Sequence, residues 1–398
     1  MMSDYMSRQL ANAVFPLIKT EWALSDTQLG SLASVVALIV GVMIIPVSLV
    51  VDRVGRVKAI TAMAVTWGLA TIACGLAGSF ASLFAARAFV GLGEAGYGSA
   101  GGAIQLQVFP KRFHSSVLGV FLSGSVFGSI LGLVTGGSLA QRYGWQMAFI
   151  LVGAAGTLLA LCYPLAIKEP PRPAEADAAT LPLGQLARLL LTTRTAICAY
   201  LGLAANMFVQ GTMIVWAPSY ANRYLGMEPA AAARAAGLLA LGSGLGMIAG
   251  GFVVERLSRQ DQRNRLRMPA AFAFFAAIIL LAAFRLAPGI AQLTLVGIGL
   301  LVGNLVIGSP GAVVTDVIPA ANHATALATM SLFMNVLGSA PGPVVAGWIA
   351  DTSDLHTALE WVPIVLFVST AAFALGAASY AADRQRLNAL DIKNLVTG

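Results

Sequence analysis

Apolar segments of about 20 residues, the length that crosses a hydrocarbon core, recur along the whole of this 398-residue chain. They lie near 27–51, 59–79, 82–107, 116–140, 147–166, 195–218, 231–254, 268–284, 291–314, 324–350 and 358–380, with a shorter, more polar one at 5–19 ahead of them. Counting that one predicts twelve spans. In lipid every backbone polar group must pair within the protein, so repeated segments of this length read as helices. Composition agrees: 58% of residues are hydrophobic and 10% charged, against roughly 25% charged in a soluble domain. Lipid must therefore solvate much of the surface.

The one long polar stretch, "IKEPPRPAEADAATLPLGQ" (167–185), divides the spans six and six. The expected organisation is a first six-helix bundle over 1–166, a linker over 167–193, a second bundle over 194–380 and a tail over 381–398. Seventeen of the 24 Lys and Arg fall on the side that carries this linker, and five (Lys19, Arg142, Arg223, Arg234, Arg285) on the other. The positive-inside rule then predicts a multi-pass inner-membrane protein with both termini in the cytoplasm. This distribution, in short clusters between apolar runs, excludes a nucleic-acid surface despite the net charge of +7. Cys74, Cys162 and Cys198 lie in apolar runs with no CxxC and no nearby His, so neither a disulfide framework nor a metal site is expected. Only seven residues precede Arg8, Ser3, Asp4 and Ser7 among them, so the first helix is expected to be shortened and the chain to begin inside it.

The halves repeat each other in parallel. "SLVVDRVGR" (48–56) is matched by "GFVVERLSR" (251–259), and "PKRFH" (110–114) by "PAANH" (319–323), at offsets of 203 and 209 residues. Two like bundles about an axis normal to the membrane form a transporter architecture, with the substrate site between them near mid-membrane.

The loop "DRVGRVK" and its echo, on this twelve-span pattern, resemble the major facilitator superfamily. Asp52, Arg53, Gly55 and Arg56 match that family's loop signature, whereas Ser48 stands in place of its first glycine and Lys58 lies one position beyond its last basic residue. The resemblance implies that these residues, with Glu255, Arg256 and Arg259 in the second half, form a cytoplasmic gate that closes in one state and opens in the other. "DYMSRQL", "LSDTQLG", "ARAFVGLGEAGYG" and "GWQMAF" are similar to bacterial Spinster-like members; members of that wider group carry lipids such as lysophospholipids, or organic anions. Relatives of "DYMSRQL" have Asp where this chain has Ser7, so one proton carrier is absent and Asp4, one turn earlier, replaces it only if it faces inward. Gly128, Gly132, Gly136 and Gly137 are similar to the fifth helix of drug–proton antiporters, but Leu133 follows Gly132 where that motif has proline, and antiport is not inferred.

Gly91-x-Gly93-x-x-Gly96 has the spacing of a dinucleotide-binding loop. Such a loop needs a preceding strand and an acidic residue about 20 positions on, and after Glu94 the next acid is Glu169. The glycines instead read as small faces for close helix packing. Glu94 is read as the only carboxylate near the membrane centre, roughly 18 Å along its helix. An acid there costs on the order of 2.5–3.5 kcal/mol or more, so it needs a partner or a role in turnover. Arg87, two turns earlier, is placed to tune it, and the pattern Arg87-x-x-x-Gly91-x-Gly93 resembles a family motif whose arginine is associated with proton coupling. Arg8 is the third charge at this depth. Tyr97, Asn206, Gln210, Asn304 and Asn335 are candidate cavity residues, each with helix packing as its alternative role.

These features predict an all-α integral membrane protein that moves a small organic solute, anionic or amphipathic, by alternating access, coupled to protons. The expected partners are that solute, protons and the bilayer, the expected state a monomer, and no cofactor or metal is called for. The alternatives are an uncoupled facilitator and a non-transporting receptor. An enzyme is disfavoured because no paired carboxylates, HExxH or Ser/His constellation appears, and His114, His323 and His356 all sit near loops.

Overall fold

The computed structural model describes residues 1–110, 113–167, 183–259, 261–319 and 322–397. Lys111, Arg112, the linker residues 168–182 and the side chain of Asp52 lie outside the described residues.

Helices account for every regular element among the described residues. The first half runs α1 (Met2–Trp22), α2 (Asp26–Val54), α3 (Arg56–Gly75), α4 (Phe80–Glu94), α5 (Tyr97–Val108), α6 (His114–Tyr143) and α7 (Trp145–Ala166). A short α8 (Leu183–Thr192) leads into α9 (Arg194–Leu225), α10 (Pro229–Ser258), α11 (Asn264–Ala283), α12 (Ile290–Asn304) and α13 (Pro310–Val317). The chain continues through α14 (His323–Phe333), a π-helical turn (Met334–Ser339), α15 (Pro341–Thr352) and α16 (Leu355–Trp361). A 3₁₀ turn then leads into α17 (Val365–Thr397).

Among the described residues nine helical segments are long and apolar enough to cross a membrane. The other three places in the twelve-span order have identifiable reasons for falling short. The first is α1, which carries Asp4, Arg8, Lys19 and Glu21 within 21 residues. The expected spans 82–107 and 291–314 are each interrupted, the first at Ala95–Gly96 and the second after Asn304. Both leading segments, α4 and α12, are 15 residues long and start and end 210 residues apart. The internal duplication therefore extends to the position of the break, and discontinuous helices of this kind line transporter binding sites.

Local chemistry accounts for the element ends. The anticipated capping box at α2 is present: Gln28 N–H donates to Ser25 Oγ (3.2 Å), and Ser25 N–H donates to Gln28 Oε1 (3.0 Å). Gly96 has φ +84°, a left-handed conformation in which a side chain is strained, and it separates α4 from α5. The π-turn before Pro341 and Pro343 closes on a bond from Ala340 N–H to Asn335 C=O (2.9 Å); such bulges are frequent at functional positions.

Helix α1 lies along α6, where a Cβ on Gly128 or Gly132 would stand against the carbonyl oxygens of Met2 and Met6. The halves meet where α2 packs on α14, the π-turn and α15, where α6 packs on α10, and where α1 packs on α9. Large apolar side chains such as Leu165 (88% exposed), Ile290 and Phe252 face outward, as a lipid-solvated surface requires.

Candidate functional site

Gly91 and Gly93 set the position of α4. A Cβ on Gly91 would lie 2.8 Å from Val36 C=O in α2, and one on Gly93 would lie 2.5 Å from Trp67 N in α3. With α4 held this close, Glu94 is its last residue and its side chain is almost wholly buried. Arg8 of α1 reaches it, with Nε 3.0 Å and Nη2 2.5 Å from Oε2. The Arg8 guanidinium also lies 5.5 Å from the Tyr5 ring centroid.

Asp4, one turn before Arg8, does face inward. It is buried, it interacts electrostatically with Glu94 and Arg8, and its carboxyl lies within hydrogen-bond reach of the Glu94 carboxyl. Glu94 is therefore not the only carboxylate at this site. Arg87, fully buried, donates through Nε to Leu32 C=O (3.1 Å) and interacts with Glu94 only through space. Arg8 is thus the direct partner of the glutamate, and Arg87 is held instead by the backbone of α2. The cluster holds two carboxyl and two guanidinium groups, and its net charge changes by one with each proton gained or lost.

A cavity of about 260 Å³ lies between the halves, lined on one side by Arg8, Asn12 and Arg87 and on the other by Gln210, Ser243 and Asn304. Asn304 Nδ2, at the break that mirrors Glu94, lies 2.8 Å from Gln210 Oε1, 2.6 Å from Ser243 Oγ and 2.9 Å from Leu300 C=O. Of the anticipated cavity residues, Arg8, Arg87, Gln210 and Asn304 line this space, and Glu94 adjoins it through Arg8. Tyr97, Asn206 and Asn335 are not among its lining residues. Tyr97 sits edge-on to Trp67 with centroids 4.7 Å apart. Asn206 is buried in α9 with both polar side-chain atoms unpartnered. Asn335 donates to Ser331 C=O (2.9 Å), and its Cβ packs at Gly41 of α2.

At the anticipated cytoplasmic gate, Gly55 makes the α2–α3 turn with φ +101°. Arg53 is exposed, Arg56 is half-buried at the start of α3, and Arg256 and Arg259 are exposed. Glu255, 63% exposed in its side chain, accepts weakly from Arg265 Nη2 at 3.4 Å. The stronger contact of Arg265 is with Asp316, at 2.8 Å, and Tyr380 OH donates to the same carboxylate at 2.9 Å. Sequence reading counted Arg265 only as one more loop cation.

A second charged network, on the face where α1 ends and α2 begins, was not anticipated. Asp26 of α2 accepts from Lys19 Nζ (2.6 Å) and from both terminal nitrogens of Arg223 in α9 (2.8 and 2.6 Å). Asp351 of α15 caps the same helix, accepting from the N–H groups of Asp26 (2.7 Å) and Thr27 (2.9 Å) and from Thr27 Oγ1 (2.6 Å). Acids belong at a helix N-terminus, and here one of them comes from the other half of the molecule. The signal that would have found it was the scarcity of cations on this face: only five are expected there, so each asks for a reason, and Lys19 and Arg223 share one.

The comparisons with known proteins agree with this architecture. Residues 1–343 match the model of the Major Facilitator Superfamily. The chain is 28% identical over 365 residues to an MFS-type efflux pump of Mycolicibacterium smegmatis, covering 88% of this chain and 83% of that protein. It is 24% identical over 359 residues to a hexuronate transporter of Bacillus subtilis (87% and 85% covered) and 27% identical over 390 residues to Protein spinster homolog 1 of Bos taurus (91% and 72%). In fold it is similar to a bacterial homologue of the human lysosomal transporter Spinster in its inward-facing, occupied form, with a TM-score of 0.84 at 21% identity over 96% of each chain. These relatives are transporters. On the family match over most of its length and a fold shared with solved transporters, the chain belongs to the major facilitator superfamily.

Proposed function

We propose that this chain is a secondary active transporter that moves a small organic anion by alternating access and is coupled to protons through Glu94. The observation that carries this reading is the pairing of the half-buried Arg8 with the buried Glu94 beside Asp4, at the edge of a cavity shared by both halves. A proton taken up by Glu94 removes the charge that holds Arg8, freeing that guanidinium for an anion in the cavity. Loss of the proton restores the pair and expels the competing anion. Arg87 supplies a second, permanently charged donor on the same wall. Similarity to a hexuronate transporter fits an acidic cargo.

In this reading the bundles are 1–166 and 194–380, joined by the linker 167–193 and followed by the tail 381–398. The linker side is cytoplasmic, the membrane is the inner membrane, and one chain is the working unit. The Asp26–Arg223 network closes the outer side in the described state, and Asp52, Arg53, Gly55 and Arg56 with Glu255, Arg256 and Arg259 serve the inner side. The deciding experiment is uptake into proteoliposomes with an imposed pH gradient. Wild type accumulates the anion when the gradient is present, whereas Glu94→Gln exchanges it without accumulation. Equal accumulation by both proteins, or flux indifferent to the gradient in wild type, overturns the coupling and leaves an uncoupled facilitator.

A further inference from the structure

Helix α11 begins with charge of the unfavourable sign. Its cap and first turn hold Arg263, Arg265 and Arg267 and no acid, although the N-terminal end of a helix is its positive end and favours anions. Arg265 is neutralised by Asp316 at 2.8 Å. One carboxylate is left to serve the other two. Asp261 lies 3.0 Å from Arg267 Nη1, in a pair half-exposed on both sides and therefore weak, and it accepts from the backbone N–H of Arg263 (2.9 Å). The Arg263 guanidinium is exposed and makes no hydrogen bond or ion pair among the described residues.

Beside these two arginines the surface is concave. A crevice of about 560 Å³ between α11 and α17 is lined by Arg263, Arg267, Ala270, Ala374, Ala377 and Ala378. Beyond the arginines its lining is methyl groups alone. Seven residues past Arg267, about 10 Å along α11, Phe274 meets Phe367 of α17 with ring centroids 5.9 Å apart, and the gap between the helices is filled by rings. Phe275 on one helix and Leu375 on the other are exposed, so the crevice opens toward lipid. The site therefore has two permanent positive charges at its water end and an apolar trough at its bilayer end. A soluble anion uses only the first part and an uncharged chain only the second, whereas an anionic phospholipid uses both. Its phosphodiester offers two unbridged oxygens to the guanidinium groups, and basic pockets between membrane helices hold anionic head groups in this way. In the neighbouring crevice on α10 a carboxylate, Glu255, stands among the lining residues with Arg256 and Arg259; here no lining residue is acidic.

We infer that the crevice between α11 and α17 holds one anionic phospholipid of the leaflet on the linker side, with its phosphodiester on Arg263 and Arg267 and an acyl chain against Ala270, Ala374 and Ala378. The inference needs the chain to lie in a bilayer and does not depend on what it transports. The lipid supplies the anion that the start of α11 lacks and fills the seam with α17, so it stabilises the second half. A zwitterionic lipid brings its own cation to the same place and is disfavoured.

The test is native mass spectrometry of the full-length protein in detergent with equimolar dioleoyl phosphatidylglycerol and dioleoyl phosphatidylcholine, alongside thermal unfolding. Wild type is expected to retain one phosphatidylglycerol about fivefold or more over phosphatidylcholine, and to unfold at a higher temperature with it. Glycerol phosphate, the same charge without chains, should give no such rise. Arg263→Gln with Arg267→Gln should bring the two lipids within about twofold of each other. Ala374→Leu with Ala378→Leu fills the trough and leaves both arginines; these positions are exposed, so the wider side chains displace lipid and not protein. That protein should retain clearly less phosphatidylglycerol than wild type. Lys58→Gln with Arg188→Gln removes two exposed cations elsewhere on the same side and should leave the preference intact. An equal loss in this last protein would reveal a general effect of surface charge and overturn the site. Equal retention of the two lipids by wild type, or stabilisation by glycerol phosphate as large as that by the lipid, would overturn it as well.

Discussion

Arg223 of α9 places its two terminal nitrogens 2.8 and 2.6 Å from the two carboxylate oxygens of Asp26 in α2, joining the two halves at one end of the molecule. Asp26 is also the residue whose N–H is capped by Asp351 from α15, so one helix start receives two ties from the opposite half. A bidentate pair of this kind is stronger than a single neutral hydrogen bond. In the alternating-access cycle proposed above, it would hold one conformer.

Breaking that tie should open this face. Arg223→Ala removes a charge-assisted pair worth on the order of 1.5–3 kcal/mol, roughly a tenfold or greater change in conformer ratio. Spin labels on the exposed loops at Gly78 and Ala287, in opposite halves, should report a longer-distance population that is minor in wild type. An unchanged distance distribution would reduce the pair to decoration.

Asp4 is expected to matter for pH response despite its place near the chain start. Asp4→Asn keeps the shape of the side chain and deletes a carboxyl from the cluster around Arg8. The pH profile of uptake should shift or flatten relative to wild type, with the Glu94→Gln protein insensitive to the further change. Superimposable profiles for wild type and Asp4→Asn would remove Asp4 from coupling.

Arg87→Lys is a sharper probe of the cavity than a neutral substitution. Lysine keeps the charge but loses the planar fork whose Nε bonds Leu32 C=O and fixes the guanidinium in place. The KM for an acidic substrate should rise about tenfold or more, the loss of one charge-assisted hydrogen bond, with a smaller effect on folding yield. A KM within twofold of wild type would argue that the charge alone is read.

Gly93→Ala should be costly for a residue so small. Its Cβ would lie 2.5 Å from Trp67 N and 2.9 Å from Met63 C=O, both backbone atoms that cannot swing aside. Overpacking of this kind costs roughly 1–3 kcal/mol. It should appear as a lower Tm of the purified protein and, because α4 is displaced, as a weaker Arg8–Glu94 contact.

Asp354, between α15 and α16, gives an acid-side prediction with a defined sign. It accepts from the N–H of Thr357 (3.0 Å), from Thr357 Oγ1 (2.8 Å) and from Tyr224 OH (3.1 Å), and these bonds, the backbone N–H first, hold its carboxyl below the usual carboxylate range. A pKa lower folded than unfolded contributes stability that is complete above the unfolded value of about 3.9 and is lost as pH falls through the folded value. Thermal unfolding should therefore find wild type above Asp354→Ala at pH 7, with the gap narrowing below about pH 4.

Hydropathy, duplication and caps are local properties, and they were legible in the chain itself. Segment lengths alone announce a membrane-spanning helical protein, the repeated "DRVGR" and "ERLSR" announce two like halves, and Ser25 with Gln28 marks the start of α2. Glu94 and Arg8 stand out because an ionisable group in an apolar span must be satisfied somewhere. What remained hidden was which groups satisfy one another. Arg8 and Glu94 are 86 residues apart, Asp26 and Arg223 are 197 apart, and Asp26 and Asp351 are 325 apart. No periodicity encodes such pairings, because they follow from how glycine-faced helices such as α4 and α6 settle against their neighbours. The break after Glu94 was hidden for the same reason: an apolar run containing Gly96 is equally consistent with a straight helix, and only packing on α2 and α3 decides that the glycine turns left-handed there. The sequence by itself thus determined the solvent, the helix inventory and the charges that need partners; tertiary packing alone decided the partners, the breaks and the shape of the space between the halves.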